Sequence, residues 1–321
     1  MQVVALFGPT GVGKTAVAVA LARRLRARGE DPVAVSADAL QVYDGLQTLT
    51  GVASAAERAE LEHRLVSFLA LQETFSAGQY ARLAHAEIDD LLAARRRPLV
   101  VGGTGLYLRA ALAELSMRPP PSAGVRERWM AELERAGAPA LHARLRERAP
   151  QVAQRLNPND SQRLVRALEL ADLGGPPEPA APAGERMAQP ADRSAAAPAA
   201  TSQLWSEHMR RPTLLIGLTM ERAALYAATD ARVEAMLAAG VREEVRAAHA
   251  AGASVTARKA LGFQELLADD VEAMKRHTRN YAKRQLTWMR KLAGVRVIDV
   301  TGRDANAVAR EIVERLDSAA G

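Results

Sequence analysis

Short apolar runs alternate with longer stretches of helical periodicity along the first hundred residues. The run at 3–7 ends at Gly8 and precedes a helical stretch at 14–28, and further apolar runs lie at 33–36 and 99–101. Buried strands separated by helices are typical of a parallel sheet that is covered on both faces. The pattern therefore predicts an α/β fold built on a parallel-sheet core, with 1–118 as its first part.

The strand pattern stops after residue 118, and the segment 119–173 has only helical periodicity. Three helical segments, ERWMAELERAG, ALHARLRERA and SQRLVRALELADLG, are separated by prolines and glycines. Asp160 is the expected N-cap of the third helix, and Gly174 is expected to end it. The segment therefore predicts an inserted all-helical domain.

The chain then changes composition twice. Residues 174–203 are rich in alanine and contain six of the 16 prolines, with almost no large apolar residue, which predicts a flexible linker. An apolar run at 213–218, later helices and a strand at 295–300 predict that 204–321 completes the sheet.

Composition narrows the function classes. The chain has no cysteine, which excludes disulfides, thiolate metal sites and a cysteine nucleophile. Lysine and arginine number 43 against 37 acidic residues, and this net charge of +6 favours a polyanionic partner. No apolar run approaches the roughly 18 residues of a membrane helix, and the N-terminus does not resemble a cleavable leader. We expect a cytoplasmic, monomeric enzyme without a membrane partner.

The segment GPTGVGKT lies between the first strand and the first helix, and it fits the pattern G-x-x-x-x-G-K-[ST]. In such a P-loop the backbone N–H groups and the lysine bind phosphate oxygens, and the hydroxyl binds Mg²⁺. The predicted diphosphate-binding residues are Gly8, Pro9, Thr10, Gly11, Val12, Gly13, Lys14 and Thr15. Thr15 is also the predicted metal ligand, with Mg²⁺ as the cofactor.

The residues that follow two other predicted strands distinguish a diphosphate-binding site from the active site of an ordinary NTPase. The run at 99–101 continues into Gly102, Gly103 and Thr104, and it lacks the metal-binding aspartate that usually ends such a strand. Asp38 follows the second strand, at the sheet edge where α/β folds bind ligands. By position it is a candidate base or metal ligand, although an aspartate that caps a turn is the alternative.

Six ordered motifs resemble the bacterial tRNA dimethylallyltransferases. They are GPTGVGKT, the segment containing Asp38, Gln41 and Tyr43, GGTGLY at 102–107, NPNDSQRLVRALE at 157–169, ALGFQE at 260–265, and TRNYAKRQLTWMR at 278–290. The resemblance implies transfer of dimethylallyl from its diphosphate to N6 of the adenosine next to the anticodon, with release of pyrophosphate.

The resemblance also implies roles for individual residues. Asp38 matches the general base, Thr15 and Arg232 complete the catalytic set, and Arg232 would neutralise the departing pyrophosphate. The implied tRNA contacts are Asp38, Ala39, Leu40, Gln41, Thr104, Arg126, Gln162, Arg163, Arg166, Lys283 and Arg284, with Gln41 reading the target base. The helical insertion would contact the anticodon arm.

The stretch from Lys275 to Leu292 contains seven cations and no acidic residue. Tyr281, Trp288, Met289 and Leu292 fall near one face at helical spacing, which leaves the cations largely on the other faces, toward phosphates or solvent. The resemblance favours phosphates. A solvated basic face is the alternative.

The chain departs from the family pattern after Tyr43, where LQTLTGVAS replaces a run of threonine, small residue, lysine and proline. Ala39 and Ala228 stand where the family has a serine and the first of two arginines. We expect these changes to affect diphosphate affinity and not the reaction type. One rival function is a P-loop small-molecule kinase or an adenylate prenyltransferase, which gives no role to the basic stretch. The other is a nonenzymatic RNA-binding protein, which does not account for Asp38 and Gln41 beside an intact P-loop lysine and threonine.

Overall fold

The computed structural model of the chain describes residues 1–115, 124–173 and 208–318. The chain divides into two compact units, one formed by 1–115 with 206–321 and the other by 116–205. We call them the α/β unit and the helical unit. The predicted boundary at 118/119, the predicted linker at 174–203 and the predicted helix end at Gly174 lie outside the described residues.

Six strands of the α/β unit form one parallel sheet in the part of the chain that the structure describes. The strands are β1 (Val3–Phe7), β2 (Pro32–Ser36), β3 (His63–Arg64), β4 (Arg97–Gly102), β5 (Thr213–Thr219) and β6 (Arg296–Asp299), in the order β3-β2-β4-β1-β5-β6. β1 and β2 are buried along their whole length, as expected for runs rich in valine with helices on both faces. The predicted fold class, an α/β parallel sheet with a helical insertion, is confirmed.

Helices cover the sheet and form the second unit. In the α/β unit they are α1 (Lys14–Arg26), α2 (Gln47–Thr50), α3 (Ala55–Glu60), α4 (Ala77–Ala93) and α5 (Gly105–Leu112); in the helical unit α6 (Val125–Arg148), α7 (Pro150–Ala153) and α8 (Ser161–Asp172); and again in the α/β unit α9 (Arg222–Ala238), α10 (Val241–Ala250), α11 (Phe263–Leu267), α12 (Val271–Met289) and α13 (Ala305–Ser318).

Most predicted element bounds agree with the structure to within two residues. The first helix ends at Arg26 and not at Arg28, and the last strand is shorter than the predicted 295–300. β3 was not predicted, because two residues give no periodicity to recognise. It pairs with β2 through Ala34 and Val35.

The helical unit has its own apolar core, made of side chains from all three helices, including Trp129, Leu145, Val152 and Leu168. Gly137, with φ 79° and ψ 168°, interrupts α6, so the two predicted segments are separate helical stretches. Asp160 accepts a hydrogen bond from the Arg163 N–H at 3.3 Å, which confirms the predicted N-cap.

Three loops with candidate functional residues meet at one edge of the sheet. β2, β4 and β1 are neighbours, and their carboxyl ends lead into Asp38, the turn at 102–104 and the P-loop at 8–15, respectively. Ligands of open α/β sheets bind at this edge. No helix in the described ranges is long and apolar enough to cross a membrane.

Candidate active site

A cavity of about 740 Å³ opens among these loops, entirely within the α/β unit. Most of the predicted site residues of this unit line it: Thr10, Gly11, Gly13, Lys14, Thr15, Asp38, Ala39, Leu40, Gln41, Thr104, Arg232 and Arg284. Of the other predicted residues of the unit, Gly8, Pro9, Val12 and Lys283 are not in the lining. The structure therefore brings the predicted base, the diphosphate loop and Arg232 to one space.

The P-loop takes its shape from two glycines and holds its lysine close. Gly11 and Gly13 have φ of 82° and 88°, a region that other residues rarely adopt. The Lys14 Nζ donates to the carbonyl oxygens of Gly8 and Pro9, each at 2.9 Å. The ammonium group thus lies over the loop, where phosphate oxygens can replace carbonyls as its acceptors.

Two cations of the cavity, Lys14 and Arg232, are held in surroundings that disfavour charge. Burial, together with the charge of Arg232, lowers the pKa of Lys14 to about 7, and the charge of Asp38 opposes this shift. Burial also lowers the pKa of Arg232, against the opposing charges of Asp38 and Glu57. A bound anion would relieve this cost, so the cavity is electrostatically suited to a diphosphate.

Asp38 is held at both carboxylate oxygens. Its Oδ1 accepts from the Leu40 N–H at 2.9 Å, and its Oδ2 accepts from the Thr104 hydroxyl at 3.4 Å. The Thr104 hydroxyl is also 3.3 Å from the Tyr281 hydroxyl. Burial and the charge of Asp38 raise the pKa of Tyr281 to about 12, which keeps its proton available for donation. Asp38 caps a turn, as the alternative interpretation required, and it also faces the cavity.

Gln41 holds a neighbouring segment in place. Its Nε2 donates to the carbonyl oxygens of Thr50 and Gly51 at 3.3 and 3.1 Å, and its Oε1 accepts from the Ser36 hydroxyl at 2.9 Å. Both ends of the side-chain amide are therefore engaged inside the protein. Its role in reading a base stays a prediction.

The segment that departs from the family pattern forms one wall of the cavity. The N–H groups of Thr48 and Leu49, at the start of α2, donate to the Glu244 carboxylate at 2.9 and 2.8 Å. The Arg232 guanidinium lies directly over Gly51, where a Cβ atom would clash with it. The glycine therefore makes room for Arg232.

The arginines predicted to contact RNA from the helical unit are in ion pairs within that unit. Arg126 and Arg166 each donate to the fully buried Glu169, at 3.0 Å, and Arg163 pairs with Asp160 at 3.4 Å. These carboxylates would compete with phosphates for the guanidinium groups. Gln162, the remaining residue of the prediction, is exposed.

Helix α12 carries most of the basic stretch, and its cations are not equivalent. Lys275 pairs with Glu234 at 2.6 Å, and Arg279 pairs with Asp230 at 2.7 Å. The expectation that the cations face phosphates or solvent is wrong for these two, because carboxylates of α9 neutralise them. Lys283 is exposed, and Arg284 lies 5.4 Å from the centre of the Tyr281 ring.

The sequence did not identify Tyr281 and Gln285 as site residues. Tyr281 was assigned to an apolar face, and Gln285 was not singled out, yet both line the cavity. A signal was present, because Gln285 follows Tyr281 by four residues and precedes Met289 by four. An uncharged polar residue on the apolar face of a basic helix indicates buried hydrogen-bond partners.

Comparisons with known proteins identify the family of the chain. Residues 41–292 match the model of the IPP transferase family. A tRNA dimethylallyltransferase of Symbiobacterium thermophilum is 39% identical over 98% of this chain and 95% of its own. One from Anaeromyxobacter dehalogenans is 40% identical over 98% of this chain and 100% of its own. The chain belongs to the IPP transferase family.

Solved structures of the IPP transferase family share the architecture. The tRNA isopentenylpyrophosphate transferase of Bacillus halodurans superposes with a TM-score of 0.67 at 29% identity, over 99% of this chain and 96% of that one. A eukaryotic dimethylallyltransferase acting on tRNA shares the fold, with a TM-score of 0.71 at 23% identity, over 97% of this chain and 77% of that one. The family model begins at Gln41, after the P-loop and Asp38, so the full-length relatives extend the similarity over the N-terminal part of the site.

Proposed function

We propose that this IPP transferase family member is a tRNA prenyltransferase that moves a dimethylallyl group from dimethylallyl diphosphate to N6 of the adenosine 3′-adjacent to the anticodon, releasing pyrophosphate. One observation carries the proposal most strongly. A single cavity is lined by a P-loop with its lysine, by a second cation, Arg232, and by the carboxylate of Asp38. This combination suits a reaction in which a diphosphate leaves while an amine loses a proton.

Asp38 would act as the general base. An aromatic exocyclic amine is a poor nucleophile, and a carboxylate that accepts its proton as the C–N bond forms lowers the barrier. The hydrogen bonds from Leu40 and Thr104 fix the orientation of the carboxylate. For N6 of the adenosine to reach Asp38, the nucleobase must leave the stack of the RNA loop.

Lys14 and Arg232 would stabilise the leaving group. Negative charge grows on the bridging oxygen as the allylic C–O bond breaks, so positive charges near it act more strongly in the transition state than in the ground state. Both side chains line the cavity, and their buried surroundings strengthen their interaction with an anion.

Mg²⁺ fits the residues present. The described residues contain no cluster of three or more acidic or histidine side chains able to hold a metal alone. Mg²⁺ is commonly bound by few protein ligands together with phosphate oxygens and water. Thr15, in the cavity beside Lys14, would supply its hydroxyl, and the bound ion would add positive charge at the diphosphate.

The RNA partner of the proposal is the anticodon stem-loop. Helix α12 carries two exposed cations, Lys283 and Arg284, and these side chains support an RNA partner. We further propose that the enzyme acts as a monomer in the cytoplasm, where its RNA substrate is found.

The decisive experiment incubates the protein with an anticodon stem-loop, Mg²⁺ and dimethylallyl diphosphate and analyses the nucleosides by mass spectrometry. We expect isopentenyl-adenosine at the predicted position and RNA-dependent release of pyrophosphate. ATP should occupy the P-loop only as a competitive inhibitor. Brisk ATP hydrolysis without prenyl transfer would overturn the proposal in favour of a kinase or ATPase. A product with free adenylate and none with RNA would favour an adenylate prenyltransferase.

A further inference from the structure

Helix α12 places one uncharged polar side chain between two loops of the cavity. Gln285 is 4% exposed, its Nε2 donates to the Gly103 carbonyl at 2.7 Å, and its Oε1 accepts from the Thr10 N–H at 2.8 Å. One side chain therefore joins the loops after β4 and β1 to a helix from the far end of the chain. A buried amide is stable there only because both of its ends are paired.

The loop after β4 is shaped to receive this helix. A Cβ atom at Gly103 would clash with the Gln285 Nε2, and a Cβ atom at Gly105 would clash with the indole of Trp288. Neither glycine has a positive φ, so conformational freedom is not what these positions require. Both positions require a residue without a Cβ atom, because α12 packs directly onto the backbone there.

The contact has consequences on both sides of the cavity. Thr10 belongs to the P-loop, so a backbone N–H at the start of the phosphate-binding turn is bonded to a side chain outside the loop. Gly103 precedes Thr104, whose hydroxyl bonds to Asp38. Gln285 thus bridges the diphosphate loop and the carboxylate side of the cavity.

We propose that Gln285 is a positioning residue, which holds the P-loop and the turn at 102–104 at the separation that the diphosphate requires. It makes diphosphate affinity depend on α12, the helix that also carries Lys283 and Arg284. This inference rests on the proposed function for its substrate, and on the contacts of Gln285 for its mechanism.

The first test compares Gln285→Met with Gln72→Met. Methionine keeps the length and volume of glutamine and removes both hydrogen bonds. Gln72 is exposed, donates to the Ala251 carbonyl at 2.6 Å and is not in the cavity lining, so it controls for the loss of a side-chain-to-backbone bond. We expect the Kd for pyrophosphate and the KM for dimethylallyl diphosphate to rise about tenfold in Gln285→Met, with RNA affinity unchanged. The control should match the wild type.

A second variant separates positioning from general loss of stability. In Gln285→Glu an ionised carboxylate accepts from the Thr10 N–H but faces the Gly103 carbonyl, whereas the protonated acid can also donate to that carbonyl. Burial raises the pKa of such a group. We therefore expect the affinity of Gln285→Glu for pyrophosphate, relative to the wild type at the same pH, to recover between about pH 8 and about pH 5.5. The pyrophosphate affinity of Gln285→Met relative to the wild type should stay constant over the same pH range.

Two results would overturn the inference. One is a pyrophosphate affinity of Gln285→Met equal to that of the wild type, even if the variant unfolds at a lower temperature. The other is a Gln285→Glu ratio that does not change with pH. Pyrophosphate binding needs no RNA and no reaction. A wild type that binds pyrophosphate but prenylates no RNA would contradict the proposed function, while the binding ratios would still decide the role of Gln285.

Discussion

The cavity of the α/β unit and the surface of the helical unit both carry predicted functional cations, in opposite electrostatic states. In the described ranges Lys14 and Arg232 form no ion pair, although the charge of Asp38 acts on both. In the helical unit Arg126 and Arg166 share the fully buried Glu169. The sequence shows where arginine stands, but not whether a carboxylate already neutralises it.

This difference separates two kinds of basic residue. A cation that is buried without a carboxylate partner is costly and indicates an anionic ligand. A cation on a buried carboxylate first has a structural role, and RNA would have to compete for it. The cavity of the α/β unit therefore offers stronger evidence for ligand binding than the surface of the helical unit.

The largest effect is expected at Asp38. Asp38→Asn keeps the hydrogen-bond acceptor for Leu40 but removes the base, so turnover at saturating substrates should fall by about 100-fold or more. RNA affinity should stay nearly unchanged. Single-turnover rates provide the measurement, with Asp44→Asn as the control, since Asp44 is exposed and is not in the cavity lining. Turnover within a few-fold of the wild type would remove Asp38 from the mechanism.

Arg232→Gln tests the buried cation directly. Loss of charge beside the leaving group should lower kcat/KM for dimethylallyl diphosphate by about one to two orders of magnitude. Arg242→Gln is the matched control, because Arg242 pairs with Asp269 outside the cavity. Steady-state kinetics with saturating RNA give the comparison. Equal values for both variants would mean that Arg232 has no special role.

The double variant Arg126→Ala and Arg166→Ala tests the helical unit. It leaves the Glu169 carboxylate buried without these partners, so the free energy of unfolding should fall by about 2 kcal/mol, since both arginines are partly exposed and screened. Denaturant unfolding and RNA binding are measured on the same samples. Full stability together with weak RNA binding would show that the arginines serve RNA and not Glu169.

Helix α12 allows the same comparison within one element. Lys283→Ala combined with Arg284→Ala should weaken RNA binding and flatten its log-log salt dependence, by roughly 0.7 to 0.9 for each phosphate that the protein no longer neutralises. Arg279→Ala should change the slope less, because Asp230 already pairs with that guanidinium. Binding isotherms at several salt concentrations measure the slopes. Equal slopes for the wild type, the double variant and Arg279→Ala would indicate a solvated basic face.

The smallest expected effect is the uptake of a fraction of a proton by Lys14 when a diphosphate binds. Its pKa of about 7 leaves it largely neutral at about pH 8, and a bound diphosphate should raise that pKa. Binding should then take up a proton, so affinity is full below the free-state pKa and falls as pH rises through the bound-state pKa. Calorimetry in two buffers of different protonation enthalpy measures the uptake, with Lys14→Met as the baseline. Equal uptake in both proteins would exclude Lys14 as the proton acceptor.

Local patterns were sufficient to predict most of the α/β framework. The P-loop, the strands before Asp38 and Thr104, and the N-cap at Asp160 are local features, and each was found where it was predicted. The placement of β4 between β2 and β1 does not follow from these local patterns and was seen only in the structure. β3 could not be predicted, since only its pairing with β2 defines it.

The missing parts of the site depend on interactions between distant segments. Gln285 joins Thr10 and Gly103 across most of the chain, and Glu244 holds Thr48 and Leu49 from another helix. The ion pairs of Lys275 and Arg279 with α9 are of the same kind. Periodicity carries no information on such pairs, so they appeared only in the structure.

The sheet order has a consequence for synthesis on the ribosome. β1 is made first and pairs on one side with β4, but its other neighbour is β5, which follows the whole helical unit in the chain. Until β5 emerges, the nascent polypeptide presents an apolar strand edge of the kind that promotes aggregation. Among the described residues, the helical unit has an apolar core made of side chains between 125 and 168. Translation speed and chaperone access between β4 and β5 should therefore govern the yield of active protein.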